Sequence, residues 1–165
     1  MKKFVLTVAA FVTLNAGVAA FAAPINDLGQ GQTAVGIGTD TFYLEHKLTD
    51  SFTIGYQDVD RDRSGHMSDV YGQFQLGKNI RGIVGNRDFD YSNSKMYLGM
   101  AVNGPVAPGW DGYASLIAGS EFKELQVGAN IGIAPNVDLN LNYHSFMPDY
   151  GNNRNGVGIG ATLKF

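Results

Sequence analysis

The stretch Gly156-Val-Gly-Ile-Gly-Ala-Thr-Leu-Lys-Phe165 alternates strictly between two kinds of side chain. Every second position is apolar, and this set comprises Val157, Ile159, Ala161, Leu163 and Phe165. The positions between them carry Gly, Thr and Lys. A period of two is that of a β-strand, whose successive side chains point to opposite faces of the sheet. The stretch therefore predicts a β-strand with one apolar face and one face of small and polar residues.

The two strands predicted immediately upstream repeat this alternation and show what the polar face is made of. Apolar residues occupy the odd positions of segments 125–133 and 137–143. The opposite face comprises Gln126, Gly128, Asn130, Gly132, Asp138, Asn140, Asn142 and His144. A soluble sandwich turns its polar face to water, whereas Gly, Asn and Gln suit an enclosed polar interior. The pattern therefore favours a transmembrane β-barrel, apolar towards lipid and polar inside, over a secreted soluble β-protein.

The start of the chain has the order of a secretory signal peptide. Met1-Lys2-Lys3 is a positive start, an apolar run covers 4–14, and Ala20-Phe21-Ala22 is a small-x-small cleavage site. This order predicts a signal peptide over 1–22 and an outer-membrane barrel over 23–165. The alternative is an uncleaved transmembrane anchor, but Asn15 and Gly17 interrupt the uncharged run.

Charge and cysteine content exclude several classes of protein. Cleavage would remove two of the 12 Lys and Arg residues, against an unchanged 15 Asp and Glu. This acidic balance argues against nucleic acid as a partner, because phosphate binding needs a basic face. The chain has no Cys, so stability must come from packing and backbone pairing. No second long apolar run follows the first, so any membrane crossing must be made by strands.

The number of strands depends on the first mature segment. Its apolar positions are odd at Val35 and Ile37 but even at Phe42 and Leu44, so one continuous strand would place the two pairs on opposite faces. A two-residue turn at 39–40 pairs Ile37 with Phe42 and Val35 with Leu44 on one face, and a β-bulge would do the same. With that hairpin the fold is an antiparallel up-and-down barrel of ten strands; eight strands are the alternative. The ten are predicted at 33–38, 41–48, 52–59, 69–76, 80–89, 95–102, 110–119, 124–133, 137–146 and 156–165.

The connections predict which end of the barrel faces the periplasm. Tight turns at 77–79 and 134–136 alternate with longer polar connections at 60–68, 90–94 and 148–155. Short turns are typical of the periplasmic side and longer loops of the outside. Both chain ends are therefore expected in the periplasm, with a short N-terminal segment there. Segment 103–109 is predicted as an unusually long periplasmic turn, and the phase of 80–89 is ambiguous.

These features resemble the small outer-membrane β-barrel proteins of Gram-negative bacteria. The resemblance covers Gln32 to Phe165, and its most specific element is the last strand with its terminal Phe165. It implies a location in the outer membrane, surrounded by lipid and lipopolysaccharide. It also implies periplasmic chaperones and the barrel-assembly machinery as partners, with the alternating apolar residues of the last strand as the assembly signal. A monomer without cofactors is expected.

The polar positions of the predicted strands mark a candidate site inside the barrel. Ion pairs between the few inward charges are favoured over the selectivity ring of a pore. A barrel of this size leaves little internal room, although many inward glycines would widen it. The predicted lumen-facing polar residues are Glu45, Lys47, Gln126, Asn130, Asp138, Asn140, Asn142, His144 and Lys164. Aromatic residues near strand ends are predicted to form interfacial girdles, namely Phe42, Tyr43, Phe52, Tyr56, Phe89, Tyr97, Trp110, Tyr113, Tyr143, Phe146 and Phe165.

A calcium-type loop is an alternative use of the acidic segment 58–69. Acids hold positions 1, 3, 5 and 12 of that spacing. They are Asp58, Asp60, Asp62 and Asp69. Position 6, where such loops need Gly, is Arg63, and Arg61 adds a second cation that would repel a metal ion. A solvated outer loop is therefore favoured over a metal site.

The remaining alternative is an enzyme, because two enzyme families have barrels of this kind. Lipid A deacylases use a His-x-Ser pair, but His144 and Ser145 are adjacent here and should point to opposite faces. Omptin proteases use an Asp pair with an Asp-His pair, and Asp58 and Asp60 have no Asp-x-His partner. The sequence predicts no catalytic residues. The favoured function is a structural or surface-interaction role in the cell envelope, with a narrow solute channel and a lipid-modifying enzyme as alternatives.

Overall fold

The structure is a computed structural model that describes residues 23–60, 65–90 and 92–165. Its strands agree with the predicted count of ten, and several have the predicted bounds. They are β1 (Thr33–Gly38), β2 (Thr41–Thr49), β3 (Phe52–Val59), β4 (Met67–Gly77), β5 (Ile80–Phe89), β6 (Ser92–Ala107), β7 (Trp110–Gly119), β8 (Phe122–Ala134), β9 (Val137–Pro148) and β10 (Arg154–Lys164). The predicted signal peptide, 1–22, lies outside the described residues.

The ten strands close into one barrel in which every neighbouring pair is antiparallel. Each strand pairs with the strand before and after it, and β1 also pairs with β10. At this seam Val35 lies opposite Leu163, and the backbone N–H groups of Thr33 and Phe165 each donate to the other residue's carbonyl. The last strand of the sequence therefore closes the barrel, and closure leaves no unpaired sheet edge.

The first hairpin confirms the ten-strand prediction at its least certain point. Ile37 lies opposite Phe42 and Val35 opposite Leu44. The turn is Thr39-Asp40, and Asp40 has a φ of 55°. This left-handed conformation is accessible to Asp at modest cost. A hairpin, and not a bulge within one strand, therefore returns the apolar residues to a single face.

Strand β6 differs from the prediction because it continues to Ala107. The predicted long turn 103–109 is mostly strand, and only two residues, Pro108 and Gly109, separate β6 from β7. A register shift between Pro105 and Ala107 accommodates the proline, which has no N–H to donate to a strand ladder. Gly109 has a φ of 74°, which favours glycine. The connection is thus as short as the others at that end of the barrel.

The barrel is apolar outside and polar inside, the reverse of a soluble protein. On β6, for example, Leu98 is 68% exposed on the outer face while its neighbour Tyr97 is 4% exposed inside. Large exposed apolar side chains occur on all ten strands, whereas Gln, Asn, Glu and Arg side chains are buried. Within the described residues no helix is long and apolar enough to cross a bilayer. An apolar outer belt on a closed sheet defines a transmembrane β-barrel.

Inward glycines are covered by tyrosine rings from the neighbouring strand. In each pair the two residues are opposite one another, and a Cβ on the glycine would overlap the ring. The pairs are Gly36 with Tyr43, Gly55 with Tyr71, Gly85 with Tyr97, and Gly128 with Tyr113. The expectation that inward glycines widen a passage is wrong at these positions, since each glycine makes room for a ring that fills the interior.

Substituting Gly85 by alanine should destabilise the barrel because the added methyl group overlaps the Tyr97 ring. We expect the free energy of unfolding to fall by about 1–3 kcal/mol, the usual cost of overpacking. Gly82→Ala on the same strand is the matched control, because its Cβ would meet Leu76 Cδ1 at an ordinary 3.4 Å. Urea unfolding in lipid vesicles measures both. Equal losses in the two variants would contradict the packing role of the tyrosine.

Candidate functional site in the barrel interior

All nine predicted lumen-facing residues lie on the inner face of the sheet. Six are buried, and these are Glu45, Gln126, Asn130, Asn140, Asn142 and His144. Lys47, Asp138 and Lys164 are partly exposed near the end of the barrel where β1 begins. There Lys164 Nζ lies 2.7 Å from Asp138 Oδ2. Two of the three charges thus form an ion pair at this end.

A buried arginine between two carboxylates lies inside the barrel, towards the end where β5 ends and β4 and β8 begin. Arg87 on β5 donates from Nε and Nη2 to the two carboxylate oxygens of Asp69 on β4, at 2.7 and 2.8 Å. Its Nη1 donates to Glu124 on β8 at 2.6 Å. The guanidinium also lies 4.8 Å from the centre of the Phe122 ring. Charge-assisted bonds of this kind are the strong ones, and here they join strands on different sides of the barrel.

A second layer of polar contacts surrounds Glu45. Its Oε1 accepts hydrogen bonds from the Tyr71 hydroxyl at 2.9 Å and from Gln73 Nε2 at 2.8 Å. Its Oε2 accepts one from Asn26 Nδ2 at 2.7 Å. Arg81 Nη1 donates to Gln73 Oε1 at 3.0 Å and so links the same cluster to β5. The buried Glu45 carboxylate is therefore paired with donors from β4 and from Asn26, which is what burial of a charged group requires.

The segment 23–28 enters the barrel and is part of this interior. Ala23, Ile25 and Leu28 are buried, and the Ile25 carbonyl accepts a hydrogen bond from Asn130 Nδ2 at 2.9 Å. The Asn26 carbonyl accepts one from Arg81 Nη1 at 2.7 Å. The predicted short periplasmic N-terminal segment is therefore wrong for these residues. Its apolar side chains pack against the inward tyrosines, and its polar groups bond to the interior network.

A chain of hydrogen bonds joins this inner segment to the closing seam. The Tyr43 hydroxyl of β2 is hydrogen-bonded to the Thr162 hydroxyl of β10. Thr162 donates to Asn140 Oδ1 at 2.8 Å, and Asn140 Nδ2 donates to Asn130 Oδ1 at 2.9 Å. Asn130 in turn holds the Ile25 carbonyl. Asn130 and Asn140 of the predicted amide-rich inner face thus belong to one connected network.

The acids of the proposed calcium-type loop are not brought together. Asp69 faces inward and is bonded to Arg87, whereas Asp58 faces outward and accepts hydrogen bonds from Tyr56 and, depending on the ring tautomer, His66. Asp60 lies in the connection after β3, and Asp62 lies outside the described residues. Among the residues that the structure describes, no group of three or more metal-binding side chains is arranged around a common point.

The candidate deacylase pair is separated by the sheet. His144 is buried inside, with Nε2 3.4 Å from Glu124 Oε2. Ser145 points outward and donates to Asn155 Oδ1 at 2.6 Å. A nucleophile and its base need hydrogen-bond reach, and these two side chains lie on opposite faces.

The predicted aromatic girdles are correct for only part of the set. Phe42, Tyr56, Trp110, Tyr143 and Phe165 are exposed on the outer face, where interfacial aromatics belong. The prediction is wrong for the inward rings, which are Tyr43, Phe89, Tyr97, Tyr113 and Phe146. Whether an aromatic ring points outward or inward is set by the alternation of side chains along its strand, and not by how close it lies to a strand end.

The sequence matches no protein-family model and no curated protein. Solved structures similar to it include a de novo designed transmembrane β-barrel (16% identity, covering 85% of this chain and 100% of that one, TM-score 0.44). The N-terminal β-barrel domain of Pseudomonas aeruginosa OprF is similar at 12% identity (84% and 100%, TM-score 0.43). A triple mutant of the Rhodopseudomonas blastica porin is similar at 11% identity, with this chain covering 44% of its length (76% of this chain, TM-score 0.42).

Proposed function

We propose that this protein is an outer-membrane barrel of a Gram-negative envelope whose interior is closed, and that it serves as a structural element or a surface-interaction platform. Several features support the outer membrane. The strand number is even, the first and last strands pair, and the sequence begins with a predicted export signal. Such a role requires no substrate. It depends on the stability of the barrel in the membrane and on the outer loops that contact other molecules.

The observation that carries the closed barrel is the filled interior. Arg87 is 1% exposed between Asp69 and Glu124, and the segment 23–28 occupies the space beneath them. The rings of the inward tyrosines fill the interior space next to the opposite glycines. An ion that crossed the barrel would have to displace this buried ion pair as well as the inner segment.

Single-channel recording of the refolded protein in planar bilayers tests the closed state. We expect no stepwise current at moderate voltage when insertion has been verified by protease protection of the barrel. Reproducible current steps would contradict the proposal. They would favour the alternative, a narrow channel, for which the supporting observation is a small cavity beside Ala23 whose lining includes Gln57, Asp69, Glu124 and Gln126.

We also propose that the role is non-enzymatic. The separation of His144 from Ser145 by the sheet supports this, since the pair cannot act together. Mass spectrometry of lipid A from cells that overproduce the protein tests the proposal. An unchanged lipid A mass is expected, and loss of an acyl chain would contradict it.

The last strand supplies a test of the proposed assembly partners. Phe165 is 63% exposed on the outer face, and its carbonyl and N–H pair with Thr33. Deleting Phe165 should lower the amount of folded barrel in the outer membrane several-fold, while refolding into detergent changes little. Leu76→Ala is a control that removes an exposed apolar side chain elsewhere on the outer face. Equal loss in both variants, or equal loss in detergent, would contradict recognition of the terminal strand by assembly factors.

A further inference from the structure

The buried charges of the barrel interior do not balance. Among the described residues, three acids and two arginines inside the barrel are each no more than 5% exposed. They are Glu45, Asp69, Glu124, Arg81 and Arg87. Arg81 belongs to the layer of Glu45, so the missing positive charge belongs to the layer where Arg87 faces two carboxylates. An uncompensated charge is costly to bury, which calls for a third cation in that layer.

The backbone nitrogen of Ala23 lies beside this layer. It donates to Gln57 Oε1 at 2.8 Å, and Gln57 Nε2 donates to Asp69 Oδ2 at 2.7 Å. The cavity next to Ala23 is lined by Asp69, Glu124 and Arg87 as well as Gln57. One amide side chain therefore connects the nitrogen of Ala23 to the carboxylate that already binds Arg87.

We propose that proteolytic cleavage between Ala22 and Ala23 creates the missing cation, an α-ammonium group bound inside the barrel. Hydrolysis of that peptide bond consumes one water, leaves a carboxylate on Ala22 and gives Ala23 an amine that takes up a proton. The new group has three donors in place of one, so it keeps the bond to Gln57 and directs further donors into the cavity that Asp69 and Glu124 line together with Arg87. The inference rests on the export proposed above, since export supplies the protease.

The assignment gives the segment 23–28 a role in the folded barrel. Ala23 is 9% exposed there, so its α-ammonium group would be enclosed. The segment then contacts β2, β3, β5 and β8 through Glu45, Gln57, Arg81 and Asn130. The processed terminus thereby links these four strands from inside the barrel. Its positive charge lies beside Asp69 and Glu124 only when the chain starts at Ala23.

His144 is the rival source of the third charge, because its ring lies 3.4 Å from Glu124 and is positive when protonated. The two sources make different predictions. If the terminal ammonium is the cation, moving it should unbalance the interior even when His144 is present. If His144 alone supplies the charge, the position of the chain start should not matter.

The first experiment measures the terminus of protein isolated from membranes of cells that express the whole gene. Mass spectrometry is expected to show a chain starting at Ala23. Its α-amine should resist acylation in the folded barrel and react after denaturation. Lys78, exposed in the turn between β4 and β5, is the internal control and should react in both states. A different chain start, or an α-amine that reacts as fast as Lys78 in the folded barrel, would overturn the proposal.

The second experiment compares refolded chains that start at Ala23 and at Phe21, in the original sequence and with Asp69→Asn. The longer chain should unfold at lower urea concentration. The Asp69→Asn change should shrink this difference, because removing a carboxylate removes the need for the extra cation. Equal midpoints for the two original chains would overturn the proposal. Neither experiment depends on conductance, so a conducting barrel with a shielded α-amine would refute the closed state and leave this inference intact.

Discussion

Replacing Arg87 by methionine should lower the free energy of unfolding by about 3–5 kcal/mol, because it leaves two buried carboxylates without their shared cation. Methionine keeps most of the side-chain length, so the loss comes from the charge and its hydrogen bonds more than from a cavity. Trp110 is the single tryptophan and lies on the outer face, so its fluorescence reports unfolding out of lipid vesicles in urea.

Two controls isolate the buried charge. Lys95→Met removes a cation from the more exposed ion pair with Glu121 and should cost no more than about 1 kcal/mol. The triple variant Arg87→Met with Asp69→Asn and Glu124→Gln removes all three charges and should recover part of the loss, because no buried carboxylate is then unpaired, whereas the proposed α-ammonium of Ala23 loses its acidic partners. A loss for Arg87→Met no larger than that for Lys95→Met would contradict the buried ion pair.

Replacing Val127 by arginine should cost about 2–4 kcal/mol, the range for a basic residue placed at the bilayer midplane on the lipid face of a barrel. Val127 lies mid-strand in β8, is 48% exposed, and is flanked on the outer face by Ala114 and Tyr143. Neither of these directly opposite neighbours carries a charge with which an arginine could pair. Urea unfolding in vesicles again measures the loss.

Ile133→Arg is the matched control on the same strand and the same face. Ile133 is exposed beside the turn that joins β8 to β9, near the membrane boundary, where the cost falls to about 0–1 kcal/mol. A depth-dependent difference between two exposed β-branched residues requires a bilayer around the barrel. Equal costs at the two positions would contradict the membrane-spanning placement of β8.

The strand pattern was predictable because alternation is a local property of the sequence. The odd phase of Val35 and Ile37 and the even phase of Phe42 and Leu44 are compatible only with a change of register, and the structure supplies it as a hairpin. The same alternation placed Asn130, Asn140 and other polar residues on the inner face. When the two faces of a strand differ sharply in polarity, its own residues are enough to show which side chains point inward.

The interior network was not predictable, because its partners are distant in sequence. The phase of β5 is ambiguous since it buries Arg81 and Arg87 while exposing apolar Ile80 on the outside. Arg87 is tolerated inside only through Glu124, 37 residues away, and Asp69. The even spacing of Arg81 and Arg87 does place both arginines on one face of β5, together with Ile83 and Gly85. Only the closed barrel shows which acids they contact.

The inner segment 23–28 was missed for the same reason. Its hydrogen-bond partners are distant in sequence. Glu45 is 19 residues from Asn26, and Asn130 is 105 residues from Ile25. A short segment with Pro, Asn and Asp has no periodicity to reveal its place. Its burial follows from the space and the hydrogen-bond partners that the closed sheet provides.

Refolding the chain from urea with and without detergent micelles tests whether this barrel belongs in a membrane. With its apolar residues outside and its charges inside, it should gain β-structure and a fast-migrating band on unheated gels only when micelles are present. Heating should abolish that band. A chain that reaches the same β-structure in plain buffer, remains soluble there, and shows no heat-dependent migration would contradict the inside-out barrel described above.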